Sequence, residues 1–452
     1  MRGNHPEGCG SIRRRWLRSG ALGCLALSAV VLTACGSTAV GPTSQASTPG
    51  PGTQSAVTPS ADSSTEMSTQ SGSRSVPPPA VSSPSAGLTT TASQPAPTPV
   101  DVLSFAGVHM VSATAGWAVA DAGVLYTTDA GGSWQVRNPP GVDPADLRPS
   151  PATRAWGNSA FEGTTSAWVT VASPGTMTVF HTVDAGLHWS SAVVGPETDA
   201  GMTTTDTPTV IGLNFPTPHD GWLMASAGGI AAGVEDIELY RTADSGATWT
   251  LLGAATQQRP SPTGLPAGGV KTGIAFTEQG HGWLTGYRGS QPELWLYETG
   301  DGGRTWHPSV LPTPPGISAA GSPRSYPPRF IDADNGVLPV SWPGSTSTTA
   351  FYVTNDGGTT WHPETPIESG DPMQVWSWPT TGDGVAASDM TWCVTGNAGQ
   401  SWHCEQLPAV LRGISDVDFV SPQQGWSVAA GELLTTTDGG DTWTMVTTQP
   451  TQ

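Results

Sequence analysis

The sequence predicts an all-β chain in which residues 101–452 fold as a seven-bladed β-propeller, and three observations predict it. First, the eight residues "TTDAGGSW", Thr127–Trp134, return as "TVDAGLHW", "TADSGATW", "TGDGGRTW", "TNDGGTTW", "TGNAGQSW" and "TTDGGDTW". These boxes begin at Thr127, Thr182, Thr242, Thr299, Thr354, Thr395 and Thr436, a spacing of 41 to 60 residues. Second, a piece that is often Gly-Trp precedes each box, as in "SATAGWAVA", "TPHDGWLMA" and "SPQQGWSVA". Third, a short apolar run usually comes before that, such as "LNFP", "IAFT", "RFID" or "VDFV". One unit reads strand, turn, Gly-Trp strand, loop, strand, box turn, Trp strand. Four strands at this period mark a propeller blade.

Composition agrees. Lys271 is the only lysine, and 57 Gly and 42 Pro punctuate the chain, which argues against helix bundles. Residues 101–452 carry 11 basic and 33 acidic side chains, a balance that excludes nucleic acid as an expected partner.

The N-terminal segments read differently. Arg13, Arg14, Arg15 and Arg18 form a positive region, and residues 19–34 form an apolar stretch too short for a comfortable membrane span. It ends in "LTAC", Leu32–Cys35, which resembles a bacterial lipobox. The resemblance implies removal of residues 1–35 up to a lipidated Cys35. The alternative is an ordinary secretory signal with a chance cysteine. "RRRWLR" loosely resembles a twin-arginine signal, and both routes lead out of the cytoplasm. Residues 36–100 hold no aromatic residue and three charges, too little apolar surface to offset ordering entropy. A disordered Ser/Thr/Pro-rich linker is expected there, reaching roughly 45 Å as a random coil.

Within the box each residue type has a mechanical reason. The Asp carboxylate accepts turn amides. The following Gly supplies a backbone conformation costly for other residues. The Thr or Ser hydroxyl adds local hydrogen bonds. The Trp opens the next strand and packs over the turn. This pattern resembles the Asp-box (BNR-type) β-propellers, which include sialidases, xyloglucanases, the sortilin ectodomain and photosystem II assembly factor-like propellers. The resemblance implies that Asp129, Asp184, Asp244, Asp301, Asp356 and Asp438 are structural and lie away from the ligand face. The sixth box departs from it with Asn397.

Enzymatic motifs are scarce. There is no HExxH, no G-x-S-x-G and no phosphate-binding Gly loop. His307, His362 and His403 follow box tryptophans and read as solvent-facing. "DADNG", Asp332–Gly336, looks like a calcium-loop fragment but lacks the later ligands, and no metal or cofactor is expected. The Arg-Ile-Pro motif of sialidases is absent, and a xyloglucanase uses two propellers where this chain has one.

A binding or assembly scaffold remains the leading expectation. In such a blade the loops between blades, and between its second and third strands, lie opposite the boxes. The former are long near 138–158, 190–210, 251–271 and 307–328, the latter near 225–236, 286–293 and 341–350. They carry Arg148, Arg154, Arg259, Lys271, Arg288, Arg324, Arg329 and Arg412, with Trp156, Tyr287, Tyr326 and Trp342. Arginine and aromatic residues are what binding surfaces favour. The same loops collect acids such as Asp143, so a merely polar rim is the alternative. The expected protein is a membrane-anchored, extracytoplasmic, monomeric lipoprotein binding a protein or cell-surface polymer. Two further readings stay open: a glycan-binding or sialidase-like hydrolytic propeller, and a cell-wall-associated protein without a specific ligand.

Cys393 and Cys404 flank the sixth box. If Thr395 opposes Trp402, then Cys393 opposes Cys404, close enough for a disulfide after modest adjustment. Export from the cytoplasm favours that bond; two buried free thiols are the alternative.

Overall fold

The computed structural model describes residues 103–148, 157–195, 207–226, 234–256, 261–289, 291–317, 322–447 and 449–451. Cys35, the signal region and the linker lie outside them. The described strands form seven sheets, one per box, antiparallel except for one strand added in parallel to the first. Their innermost strands are Phe105–Met110, Ser159–Glu162, Thr209–Asn214, Val270–Phe276, the broken pair Arg324–Ser325 and Arg329–Phe330, Val375–Ser377, and Ile414–Phe419.

The blades have no common centre of packing. The buried apolar side chains fall into seven clusters, and each bridges two consecutive blades. Both faces of an inner strand are therefore covered, which is why "GWAVA" and "GWLMAS" are buried at every position. Such strands read as continuous apolar runs rather than alternating ones.

An aromatic slots across most seams. Phe215 stacks on Trp168 of the preceding blade at 3.9 Å, and Phe276 on Trp222 at 4.1 Å. Phe161 meets Trp117 and Phe330 meets Trp283 in the same way. The edges of three of these then face their own blade's box Trp: Phe215–Trp249, Phe276–Trp306 and Phe330–Trp361. The Gly of the Gly-Trp pair makes room: a Cβ on Gly221 or Gly282 would sit 2.3 Å from the Phe215 or Phe276 ring. The Trp indoles also donate into the next blade, Trp168 to the Ser245 carbonyl, Trp222 to Gly302 and Trp426 to Ala130. All three acceptors are box residues.

The boxes themselves are closed networks. In the first, Asp129 Oδ1 accepts from Thr127 Oγ1 at 2.8 Å and from the Ser133 amide at 2.8 Å, while Oδ2 accepts from Ser133 Oγ at 2.6 Å. The Gly131 amide donates to Thr127 Oγ1. The turn hydroxyl and amides hold Asp356 at about 2, well below the usual carboxylate range. Two successive box residues take positive φ, at 63° for Ala130 and 90° for Gly131. The first is Ala in three boxes and Ser in one, so the strain is tolerated there. Its amide is what fixes the geometry: in every blade it donates to a carbonyl in the turn after the innermost strand, from Ala130 to Thr114 through Gly439 to Gln423. Boxes and first turns thus share one face of the ring.

In the sixth box Asn397 Oδ1 accepts from Thr395 Oγ1 and the Ser401 amide, as an Asp would. Its Nδ2 donates to Ser401 Oγ, reversing only that bond. Cys393 pairs in register with Cys404 and forms a disulfide across this hairpin.

The ring closes where blade seven meets blade one. The short strand Gln449–Thr451 pairs in parallel with Ser133–Val136, the outer strand of blade one. At the inner edge two carboxylates clip the seam: Asp416 Oδ2 accepts the Val108 amide at 2.9 Å and Asp418 Oδ2 accepts the Met110 amide at 2.7 Å. Neutral side chains do this elsewhere, Asn214 for the Phe276 amide and Ser377 for Phe419. Burial, aided by Asp418, pushes the Asp416 carboxyl up to about 7, against the pull of the Val108 amide. The folded ring therefore binds this proton more tightly than the unfolded chain. The stability Asp416 contributes is full below its unfolded pKa near ~4 and is lost as pH rises through about 7.

We expect Asp416→Asn, which keeps an acceptor for Val108, to stabilise the ring at pH 8.5 by on the order of 3 kcal/mol, with the gain vanishing toward pH 4. Thermal unfolding across that range checks it, and a gain that grows on acidification contradicts it. Reduction of the Cys393–Cys404 disulfide is expected to cost about 2–3 kcal/mol. Thiol counting on the unfolded oxidised domain, expected to give none, and denaturant midpoints with and without reductant measure both.

Candidate functional site

The face opposite the boxes and the channel through the ring are the two places where side chains of different blades converge. The channel is a cavity of about 870 Å³ lined by the innermost strands of all seven blades. Its wall is uneven. Blades two to four contribute mainly apolar groups, among them Phe161, Ile211, Leu213 and Ile274. Blades five, seven and one contribute Arg329, Asp416, Asp418 and His109. Arg329 donates to Asp418 Oδ1 at 3.3 Å, and His109 Nδ1 lies 3.6 Å from Asp418 Oδ2. Burial lowers the His109 pKa, which Asp418 opposes.

The sequence-predicted residues divide between these places. Arg148 is exposed beyond the short helical turn Pro144–Leu147, and Arg412 is exposed beyond Ala409–Leu411. Tyr287 ends the strand Gly282–Tyr287, with exposed Arg288 directly after it. Arg324 begins an innermost strand and lays its guanidinium 4.4 Å from the Tyr287 ring centroid. Trp342 ends Gly336–Trp342 and packs against the cluster between blades four and five. All of these occupy strand ends or loops on the face away from the boxes. Arg154, Trp156 and Arg259 lie outside the described residues.

Three expectations need correction. Arg329 is not on the looped face; the innermost strand breaks at residues 326–328 and re-forms deeper, delivering Arg329 into the channel beside Asp418. Tyr326 sits in that break, its ring 5.3 Å from Trp376, and its amide bonds Pro339 across the blade. Lys271 is not a surface cation. It is buried, and its Nζ donates to the carbonyls of Glu235, Ala267 and Gly269 at 2.7 to 3.0 Å. Burial lowers its pKa to about 8, with Glu235 and Asp236 opposing. Residues 341–350 are not a long loop either; Gly336–Trp342 and Ser347–Thr354 leave only 343–346 as a turn.

Sequence reasoning missed Asp416 and Asp418. "ISDVDF" alternates, and in a strand of ordinary sheets that pattern points polar side chains to solvent. Here the polar side faces the channel and the neighbouring blade. Asp332 to Gly336 is a turn in which Asp332 accepts the Asp334 and Asn335 amides. Among the described residues no group of three or more His, Cys, Asp or Glu is placed to hold a metal ion.

Charge pairing separates the arginines. Arg241 pairs with Asp220, Arg329 with Asp418, and Arg304 donates to the Asp301 carbonyl. Arg148, Arg288, Arg324 and Arg412 have no side-chain hydrogen bond or ion pair among the described residues, and Nε of Arg324 is buried without a partner. In a chain of net charge -19 the unpaired cations thus gather on the looped face.

The chain is a seven-bladed β-propeller whose blades carry Asp-box hairpins. Solved structures that resemble it include YCF48 bound to a D1 peptide, at 18% identity and a TM-score of 0.47 over 74% of this chain and 93% of that one. YCF48 from Cyanidioschyzon merolae gives 16% and 0.48 over 75% and 97%. The GH74 xyloglucanase from Xanthomonas campestris gives 14% and 0.49 over 76% of this chain and 54% of the enzyme, so this chain spans about half of that enzyme's length. No protein-family model matches the chain, and no curated protein matches it in sequence. The likeness to these structures is one of fold.

Proposed function

We propose that the protein is an extracytoplasmic scaffold, anchored to the cell membrane by lipid on Cys35, that binds a protein or a cell-surface polymer through its looped face. The observation that carries the binding reading is the set of unpaired arginines on that face, Arg148, Arg288, Arg324 and Arg412, in an otherwise acidic domain. An arginine without a carboxylate partner keeps its planar donor fork available to a ligand. Tyr287 holds the Arg324 guanidinium by its ring and leaves the donor edge free. The box face offers much less: its Asp oxygens and Thr hydroxyls are already engaged within each hairpin. The anchor reading is supported by the "LTAC" motif after an apolar stretch, and the Ser/Thr/Pro-rich segment gives the ring reach from the membrane.

Phe105 pairs with Ala120, and Asp121 clips the Ser104 amide at 3.1 Å, so the chain enters blade one on the looped face.

Joint charge reversal of Arg148, Arg288 and Arg324 is expected to weaken retention on cell envelopes of the source by at least about tenfold while leaving the thermal midpoint within a few degrees. Reversal of Arg304, which sits in a box, is expected to change retention little; equal losses from both would remove the case for the looped face. A glycan array run alongside tests the glycan-binding reading, which survives only if the array binds. Substituting Cys35→Ala is expected to release the ring into the medium. Continued partition with the membrane would count against the lipid anchor.

A further inference from the structure

The acids of the channel are unequally served. Asp418 has Arg329 at 3.3 Å and His109 at 3.6 Å. Asp416, two residues back on the same strand, has backbone amides alone, from Val108 and its own neighbour Val417. No cationic side chain lies within ion-pair distance of it among the described residues. Arg329 is the cation in the cavity lining, and Asp418 already engages it. A carboxylate on the wall of an 870 Å³ cavity, whose nearest cation Arg329 acts on it only from a distance while bonding Asp418, and with apolar side chains opposite, is an unusual arrangement. Buried charges are ordinarily paired. The opposite wall offers Ile211, Leu213 and Ile274, surfaces suited to an aliphatic stem, and Trp376 on the adjacent blade six offers a ring to a cation.

We propose that the channel is a second binding site, one that takes an organic cation: a primary ammonium on an apolar stem, such as an alkylamine or an inserted lysine side chain. The ammonium pairs with Asp416 and the stem reaches toward the apolar wall of Ile211, Leu213 and Ile274. This site is independent of the looped-face reading, which concerns anions and a different surface. The groups facing the ammonium are Asp416 and Asp418 from blade seven, Arg329 from blade five and His109 from blade one. Arg329 and Asp418 neutralise each other, and His109 is held neutral near pH 8 by its lowered pKa. Asp416 therefore decides the sign of the pocket. Its carboxyl titrates near 7, so the pocket is anionic at pH 8.5 and neutral at pH 5.

The test uses the full chain and n-pentylammonium as probe, with 1-pentanol and pentanoate as its neutral and anionic counterparts. Calorimetric titration at pH 8.5 is expected to show one site for the amine and none for the other two. Binding is expected to fall about tenfold or more in Asp416→Asn and in the parent protein at pH 5. Asp389→Asn, which changes an exposed acid away from the channel, is expected to leave it unchanged. Binding that persists at pH 5, that is equal in Asp416→Asn, or that is lost equally in Asp389→Asn overturns the proposal. So does a preference for pentanoate, which would place the charge recognition at Arg329. The pH arm reads the same group without any substitution, so it holds even if Asp416→Asn fails to fold.

Discussion

The stack of a Phe from one blade on the Trp of the blade before it is the contact on which the ring depends. Each such pair buries two large rings, and aromatic pairs contribute about 0.5–1.5 kcal/mol beyond their buried area. The pair also couples parts of the blade that look separate in sequence. The Phe ends the innermost strand, the Trp begins the second strand of the preceding blade, and that indole N–H reaches the box of the Phe's blade. The box can therefore not shift without moving the seam. This explains why its turn holds Ala or Ser at positive φ in four blades. Seven wedge-shaped cores, each shared by two blades, replace the single core of an ordinary domain. Removing one blade would expose two of them.

Closing such a ring leaves an asymmetry at the last seam. Six seams lie within continuous chain, whereas the seventh joins the two ends of the domain. Two carboxylates meet there where neutral side chains serve other seams. A hydrogen bond from a backbone amide to a charged acceptor is stronger than one to a hydroxyl or amide oxygen, and an uncompensated buried charge is costly. Asp418 has Arg329 in a direct ion pair to offset that cost; Asp416 feels Arg329 only from a distance. The break at Tyr326–Pro328 and the charge pattern at the seam are thus linked, since the break is what carries Arg329 far enough down the channel to reach Asp418.

Much of the fold was legible because a propeller repeats its instructions. The boxes, the Gly-Trp pairs and the apolar runs each recur, and recurrence separates signal from chance in a way that a single turn never does. The opposition of Cys393 and Cys404 followed from hairpin register alone. The seam partners were not legible, since Trp168 and Phe215 are 47 residues apart and belong to different repeats. Position along the chain was legible where a residue ends a strand, as with Tyr287 and Arg324. It was misread where backbone irregularity intervenes. Arg329 follows a Tyr-Pro-Pro break whose depth has no sequence signature. A lone lysine in a Gly-rich loop looks like a surface charge, yet Lys271 is coordinated by three carbonyls. Asp416 and Asp418 sit on a strand whose exposed side is a channel, and periodicity does not distinguish a channel from bulk water.

The place where the chain joins the ring has a mechanical meaning. A pull applied at Phe105 would pass into Phe105–Met110 along the direction of that strand. Its ladder to Gly116–Ala120 and its bonds to Asp416 and Asp418 run across that direction, so they bear the load together in shear rather than parting one after another. The outer strand of a blade, pulled sideways, would peel bond by bond. A ring tugged through its inner strand resists as a unit, and the carboxylate clips at the closing seam share the load further along that strand.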